Sequence, residues 1–312
     1  MNWKYVLIGC FMNIINIILL IFLAMVGSMI VGFSALAIHK KPGSIFEDEP
    51  EQKNPMEGKR VRFVENPDEP ENADGVRGHL EAVGEAVHKS GIYERFWKRL
   101  FDIVLSLGAL IVLSPVFLIM CIVIYVDDPG PVLFTQKRIG KNKQYFKLHK
   151  FRSMKMSTPH DKPTHMLDNP EQYITKIGGF ARRHSLDELP QIWDIFVGNM
   201  SVIGPRPALW NQDSLTAERD KWGANDIKPG LTGWAQINGR DRLDIPEKAE
   251  LDGYYTSHLG LKMDLKCFWG SLGVFSGDEC AVEGCTGTKY TSPINPNDGK
   301  TVYKEDEYQI KK

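Results

Sequence analysis

Two long uncharged runs bound what this chain can fold into. Tyr5 to Ile38 carries no charged side chain over 34 residues, and Ile103 to Val126 none over 24. At about 1.5 Å per helical residue, either exceeds the roughly 30 Å apolar core of a bilayer. The first run is too short for two full spans. Lys4 precedes it and His39, Lys40 and Lys41 follow it, so the positive-inside bias puts its C-terminal end in the cytoplasm. A cleaved signal peptide is the alternative, but the run is long for an h-region and no small-x-small site precedes the basic cluster. An uncleaved transmembrane anchor over 1–41 is expected.

The second run is interrupted at its middle by Ser114-Pro115. Proline removes a backbone donor and clashes with the preceding turn, so a bend is expected there. Two topologies follow. A spanning helix would put everything after residue 126 outside, and composition favours this. A helix that turns back at Ser114-Pro115 would leave both ends in the cytoplasm. Tyr93, Phe96, Trp97, Leu100 and Phe101 lead into the run with Arg95, Lys98 and Arg99 among them, a mixture suited to a membrane interface.

Residues 42–92 hold 12 acids against 6 Lys/Arg, with prolines at 42, 50, 55, 67 and 70. This reads as an acidic polar linker, loose to about residue 75, with room for a short helix near His79–Lys89. Residues 129–160 invert that balance: no acid, but Lys137, Arg138, Lys141, Lys143, Lys147, Lys150, Arg152 and Lys155. Strand-like pieces at 132–134 and 145–148 flank a turn at 140–143. Such a basic hairpin would meet anionic headgroups or a substrate with several phosphates, or form a plain solvated face. Helices are expected at about 188–197, 213–222 and 246–258, with amphipathic material from 259 to 275. Five scattered cysteines make no disulfide framework. Cys280-x4-Cys285 without a second half is a weak metal signal, and reduced thiols are the plainer reading.

The chemistry concentrates at Arg182-Arg183-His184-Ser185-Leu186-Asp187-Glu188-Leu189-Pro190-Gln191. Leu189, Ile192, Trp193, Phe196 and Val197 follow a helical apolar stripe, and Gly198 suits its stop. Pro190 belongs in the first turn, which places Asp187 or a neighbour at the N-cap, and Ser185-x-x-Glu188 matches a capping box. Capping accounts for one carboxylate, not for Arg182, Arg183, Asp187 and Glu188 gathered together. Adjacent helical residues diverge, so the two carboxylates suit different roles, one as nucleophile and one as ligand to Mg²⁺. Arg206, between Pro205 and Pro207, loses little backbone entropy in gripping a phosphate with its planar fork. Lys150 and Arg152 in Lys150-Phe151-Arg152-Ser153, and Arg240 after Gly239, offer further cations or plain surface.

Phe101-Asp102, Ser114-Pro115, Gly130-Pro131-Val132, Gln136-Lys137-Arg138, Lys150-Phe151-Arg152-Ser153, Ser185 to Gln191, Gly198-Asn199-Met200-Ser201, Gly204-Pro205-Arg206-Pro207 and Pro229-Gly230-Leu231-Thr232-Gly233 occur in order. Over roughly residues 95–275 this resembles the bacterial sugar transferases that act on polyprenyl phosphate, the monotopic phosphoglycosyl transferases. The resemblance implies an α+β, mostly helical, membrane-associated domain. It would have a small β-hairpin, a re-entrant helix (101–126) broken at Ser114-Pro115, and interfacial amphipathic helices. It reverses the preference for a spanning helix. It implies transfer of a sugar-1-phosphate from a UDP-sugar to polyprenyl (undecaprenyl) phosphate, with UMP released and Mg²⁺ as cofactor. By that resemblance Asp187 attacks the β-phosphorus and Glu188 holds Mg²⁺; Lys150, Arg152, Arg182, Arg206 and Arg240 are the cations expected to bind substrate phosphates. The expected setting is the cytoplasmic face of the bacterial inner membrane, in the first membrane step of surface polysaccharide or glycoconjugate synthesis. Membrane lipids are expected partners and nucleic acid is not; self-association and contact with downstream glycosyltransferases stay open. The organisation expected is an anchor (1–41), an acidic linker (42–92), a transferase domain (93–280) and a tail (281–312). The competing readings are an inactive membrane adaptor and a glycosyltransferase that releases UDP.

Overall fold

The computed structural model describes Gly27 and residues 53–86, 88–158, 170–239 and 243–274. The rest of the expected anchor, Arg240, Cys280, Cys285 and the tail lie outside the described residues.

The second apolar run is helical and bent. A π-helical turn, Tyr93–Lys98, leads into α1 (Arg99–Val112), and after Leu113 the chain continues as α2 (Ser114–Asp127). The pair is bent by 59° at the break. The cause is the one expected. Pro115 has no N–H to give the Ile111 carbonyl, and the Ser114 hydroxyl donates to that carbonyl instead, at 2.8 Å. Among the described residues no single helix is long and apolar enough to cross a membrane; only this bent pair, taken together, has the length and composition for it. Its outer faces stay uncovered, with Val112 66% and Val126 74% exposed.

The rest is a mixture of short helices and three two-stranded sheets, none closed. β3 (Leu133–Ile139) pairs antiparallel with β4 (Tyr145–Phe151), and β5 (Ser201–Ile203) pairs parallel with β6 (Gly230–Thr232). Helices α3 (Lys176–Arg183), α4 (Gln191–Val197), α5 (Asp213–Lys221), α6 (Trp234–Ile237), α7 (Ile245–Ser257) and α8 (Leu261–Val274) fill in around them. Two buried acids fasten the bent pair to this body. Asp102 accepts from the Ser201 hydroxyl and the Val202 N–H, both at 2.9 Å, joining α1 to β5. Asp264 of α8 accepts from Lys98 Nζ at 2.7 Å and from the Tyr255 hydroxyl at 2.6 Å. Cys121 and Cys267 are free thiols, and burial pushes the Cys267 thiol up to about 12, an inert core group.

Two expectations are corrected. The basic stretch is not an open cationic face. Lys143 is fully buried with Nζ 2.7 Å from Asp220 Oδ1, and Lys141 reaches Glu94 at 2.7 Å. Arg138 donates to the Pro207 carbonyl. The acids missing from 129–160 arrive from distant elements, so local charge counting overstated the exposed charge.

The acidic linker is structured over much of its length. β1 (Lys59–Glu65) and β2 (Gly78–Glu85) form an antiparallel hairpin, with strand rather than helix after His79. A two-stranded hairpin is marginal alone, and this one is held from outside. The Val61 N–H donates to Asp220 Oδ2 at 2.7 Å, and Arg60 bridges the Asp220 carbonyl and Asp226 Oδ2. Asp74, between the strands, accepts from the Leu215 N–H in the first turn of α5.

Asp74 stands near a second acid. Burial, and after it the Asp74 carboxylate, push the Asp213 carboxyl up to about 6. A raised carboxyl favours the fold most when protonated, so its contribution is complete below about 4 and is lost as pH rises through 6. Asp213→Asn is therefore expected to stabilise the protein at pH 7.5 by about 1 kcal/mol, after discounting for partial exposure, and to change nothing at pH 4. Urea unfolding of the detergent-solubilised protein at both pH values checks this; an equal shift at both would contradict it.

Candidate active site

The segment from Arg182 to Val197 turns twice before it becomes a helix. Ser185 takes a left-handed conformation (φ 53°, ψ 22°) and its side chain makes no cap hydrogen bond. A short 3-10 turn over Leu186–Glu188 follows, and α4 begins only at Gln191, with Pro190 at its N-cap position. The expected capping box is thus absent, and the carboxylates lie one turn ahead of the helix. Gly198, at φ 102°, ends α4 as expected. The apolar stripe is rotated: Ile192 and Ile195 are buried while Val197 is 45% exposed. The rotation follows from Asp194, which is fully buried. It accepts from the His149 backbone N–H at 2.9 Å and pairs with the His149 ring at 2.8 Å, locking α4 against β4. At the other end Arg99 donates to the Ile195 and Phe196 carbonyls, both at 2.7 Å, closing the C-terminus of α4 from α1.

These anchors present the carboxylates to cations. Asp187 is buried. Glu188 Oε1 accepts from Arg206 Nη2 at 2.8 Å, with Lys150 Nζ 3.8 Å away. Arg182 packs beside the same turn: its Nε donates to the Ser153 hydroxyl at 2.8 Å, and its buried Nη1 has no hydrogen-bond partner among the described residues. Arg152 is placed elsewhere. Its guanidinium pairs with Asp128 at the end of α2, through Nη1 at 2.9 Å and through a second contact to the Asp128 carbonyl. Four of the expected residues with described side chains (Asp187, Glu188, Lys150 and Arg206) meet at one turn, Arg182 borders it, and Arg152 fastens the bent pair.

Several residues that build the site carried weaker sequence signals. Asp194 is a lone acid inside the apolar string Ile192 to Val197. Asp102 is a lone acid at the head of an apolar run, and Arg219 stands in a helix with no obvious face.

Among the described residues no group of three His, Cys, Asp or Glu side chains could cage a metal ion. The donor set fits Mg²⁺ in the form that ion commonly takes with phosphates, where one or two protein carboxylates are completed by substrate oxygens.

Glu188, clasped by Arg206 and Lys150 beside buried Asp187, sits on a body that also carries a bent apolar helix pair. The chain belongs to the bacterial sugar transferase family, whose model matches residues 93–277. It is 38% identical over 195 residues to the UDP-glucose:undecaprenyl-phosphate glucose-1-phosphate transferase of Escherichia coli K12, covering 60% of this chain and 41% of that protein. It is 38% identical over 187 residues to the exopolysaccharide production protein PSS of Rhizobium leguminosarum bv. phaseoli, covering 56% of this chain and 92% of that one. With the UDP-N-acetylgalactosamine-undecaprenyl-phosphate N-acetylgalactosaminephosphotransferase of Aeromonas hydrophila it shares 33% over 178 residues, covering 54% of this chain and 41% of the relative. The chain thus spans about two fifths of the length of the first and third of these relatives and most of the second.

Proposed function

We propose that this protein transfers a sugar-1-phosphate from a UDP-sugar to polyprenyl phosphate, releasing UMP, at the cytoplasmic face of the bacterial inner membrane, in exopolysaccharide synthesis. The observation that carries this reading is the clasp on Glu188 by Arg206 and Lys150 beside buried Asp187, in a domain that shares its family with the named undecaprenyl-phosphate transferases.

The residues divide the work. Glu188 has one oxygen committed to Arg206, whereas Asp187 lies buried one position earlier in a tight turn. Asp187 is the nucleophile. Its carboxylate oxygen attacks the β-phosphorus of the donor, the bond to the bridging oxygen breaks, and UMP leaves with that electron pair. The acyl phosphate on Asp187 then holds the phosphosugar. A phosphate oxygen of the polyprenyl acceptor attacks the same phosphorus and frees the Asp187 carboxylate. Such transfers need mainly positioning and charge neutralisation. Arg206, Lys150 and Arg182 supply cationic donors for the transferring group. Mg²⁺, held by Glu188 with the diphosphate, would add further neutralisation.

The bent pair gives this chemistry its place. With a break at Ser114-Pro115, α1 enters the membrane and α2 returns, so the site stays on the side where soluble UDP-sugar and the acceptor's headgroup meet. The exposed apolar face of α8, including Leu265, Trp269 and Leu272, lies in the interface in this reading.

Two measurements test the proposal. Membranes carrying the protein are expected to release UMP, not UDP, from a panel that includes UDP-glucose and UDP-N-acetylgalactosamine; UDP as product would identify a glycosyltransferase instead. A cysteine at exposed Gln144 is expected to resist an impermeant maleimide in intact spheroplasts and to react once they are opened. Labelling from outside would contradict the re-entrant topology.

A further inference from the structure

The prolines flanking Arg206 fix their own φ angles but leave the direction of the Arg206 peptide open. That direction is set by bonds to the carbonyls. The Pro205 carbonyl accepts from the Gly230 N–H at 2.8 Å, the Pro207 carbonyl from Arg138 at 2.9 Å, and the Ala208 carbonyl from the Ile139 N–H at 2.9 Å. The Arg206 carbonyl accepts from Arg219 Nη1 at 2.9 Å. Arg219 is 3% exposed, and its Nε and Nη2 both meet Asp252 Oδ2 of α7, at 2.8 and 2.6 Å. Asp252 is fully buried. Burying such a pair removes two charges from water, and replacing it with apolar groups is often neutral or stabilising. A pair of this kind that also points a guanidinium N–H at one particular carbonyl therefore suits orientation better than stability.

The next residue on α5 faces another way. Asp220 takes Lys143 Nζ at 2.7 Å, Asn225 Nδ2 at 2.9 Å and the Val61 N–H at 2.7 Å. Val61 belongs to β1, which lies before the family domain that begins at residue 93. One helix thus grips the substrate-facing arginine with one residue and the extra hairpin with its neighbour.

We propose that Arg219, held by Asp252, is a positioning residue for Arg206, and that the β1–β2 hairpin is part of the same brace through Asp220. The inference rests on the reading of Arg206 as a phosphate-binding residue. It makes the segment ahead of the family domain a working part of the transferase.

The test is a double-mutant cycle on the full-length protein in detergent, reading kcat/KM for UMP release. Arg219→Lys keeps the charge for Asp252 but lacks the fork that also reaches the carbonyl. It is expected to lower kcat/KM about tenfold in the wild-type background, and by less than twofold where Arg206 is already lysine, because residues acting through one another are not additive. Asp220→Asn is expected to follow the same pattern, with about a threefold loss that shrinks in the Arg206→Lys background. Equal factors in both backgrounds would mean that Arg219 and Asp220 support only the fold, and would overturn the proposal while leaving the role of Arg206 standing. If Arg206→Lys leaves kcat/KM unchanged, both the proposal and the phosphate-binding role fall. If Arg219→Lys does not fold, the Asp220→Asn cycle decides alone.

Discussion

Asp187→Asn is expected to lower UMP release by about 10³-fold or more, the scale seen when a nucleophile is removed from a covalent mechanism. The amide keeps the size and shape of the carboxylate but has no anionic oxygen to attack phosphorus. The buried 3-10 turn tolerates it, because neither the start of α4 nor its C-terminal closure uses this side chain as a cap. Intact-mass measurement supplies an independent reading. Wild-type protein quenched with UDP-sugar and no acceptor is expected to gain the mass of the phosphosugar, and the Asn variant none. Glu188→Gln is expected to fall as well, since it releases Arg206 and Lys150 from their common carboxylate, yet to retain a detectable adduct. An adduct on the Asp187→Asn protein, or UMP release at the wild-type rate, would remove Asp187 from the nucleophile's place.

Gly230→Ala is expected to be nearly as damaging by another route. β5 and β6 run parallel and so close that a Cβ at 230 would stand 2.0 Å from the Gly204 nitrogen and 2.6 Å from its Cα. The reverse holds for Gly204, whose added Cβ would meet the Lys228 carbonyl at 2.5 Å. Neither obstacle is a flexible side-chain end, so backbone must move. Overpacking typically costs about 1–3 kcal/mol and can cost more where backbone blocks relief, and here the strands carry Arg206 between them. The variant is expected to melt well below wild type and to lose most activity even at temperatures where it stays folded. Unchanged melting and turnover would show that the two strands can separate freely.

That interlock explains why two separated motifs, Gly204 to Pro207 and Pro229 to Gly233, belong to one piece of structure. Neither motif alone predicts it, because their spacing in the chain says nothing of their pairing. The features readable from sequence were those with local causes. The bend at Pro115 follows from a missing donor, the end of α4 from Gly198, and β3–β4 from alternation around a turn. The clustering of Asp187, Glu188 and Arg206 was legible because their chemistry is unusual in combination. The β1–β2 hairpin was not, since the groups that hold it, Asp220 and Asp226, lie about 160 positions away. Arg152 was misplaced for the same reason: its spacing matches that of Lys150, but Asp128 captures it. The helix start moved from the carboxylates to Gln191 because Ser185 adopts a backbone conformation that nothing in its side chain announces.

Arg99 stands in the first turn of α1 and its guanidinium also closes the last turn of α4, a few residues after Asp187. Any tilt or sinking of the bent pair is therefore passed to α4 and the turn that bears Asp187. In a bilayer, the depth of the helix pair and the height of Asp187 over the headgroups become a single variable. On the proposed reading of Asp187 as nucleophile toward a membrane acceptor, lipid thickness would act as a dial on whether that carboxylate stands level with the acceptor's phosphate, and the same polypeptide is expected to turn over at different rates in membranes of different acyl-chain length.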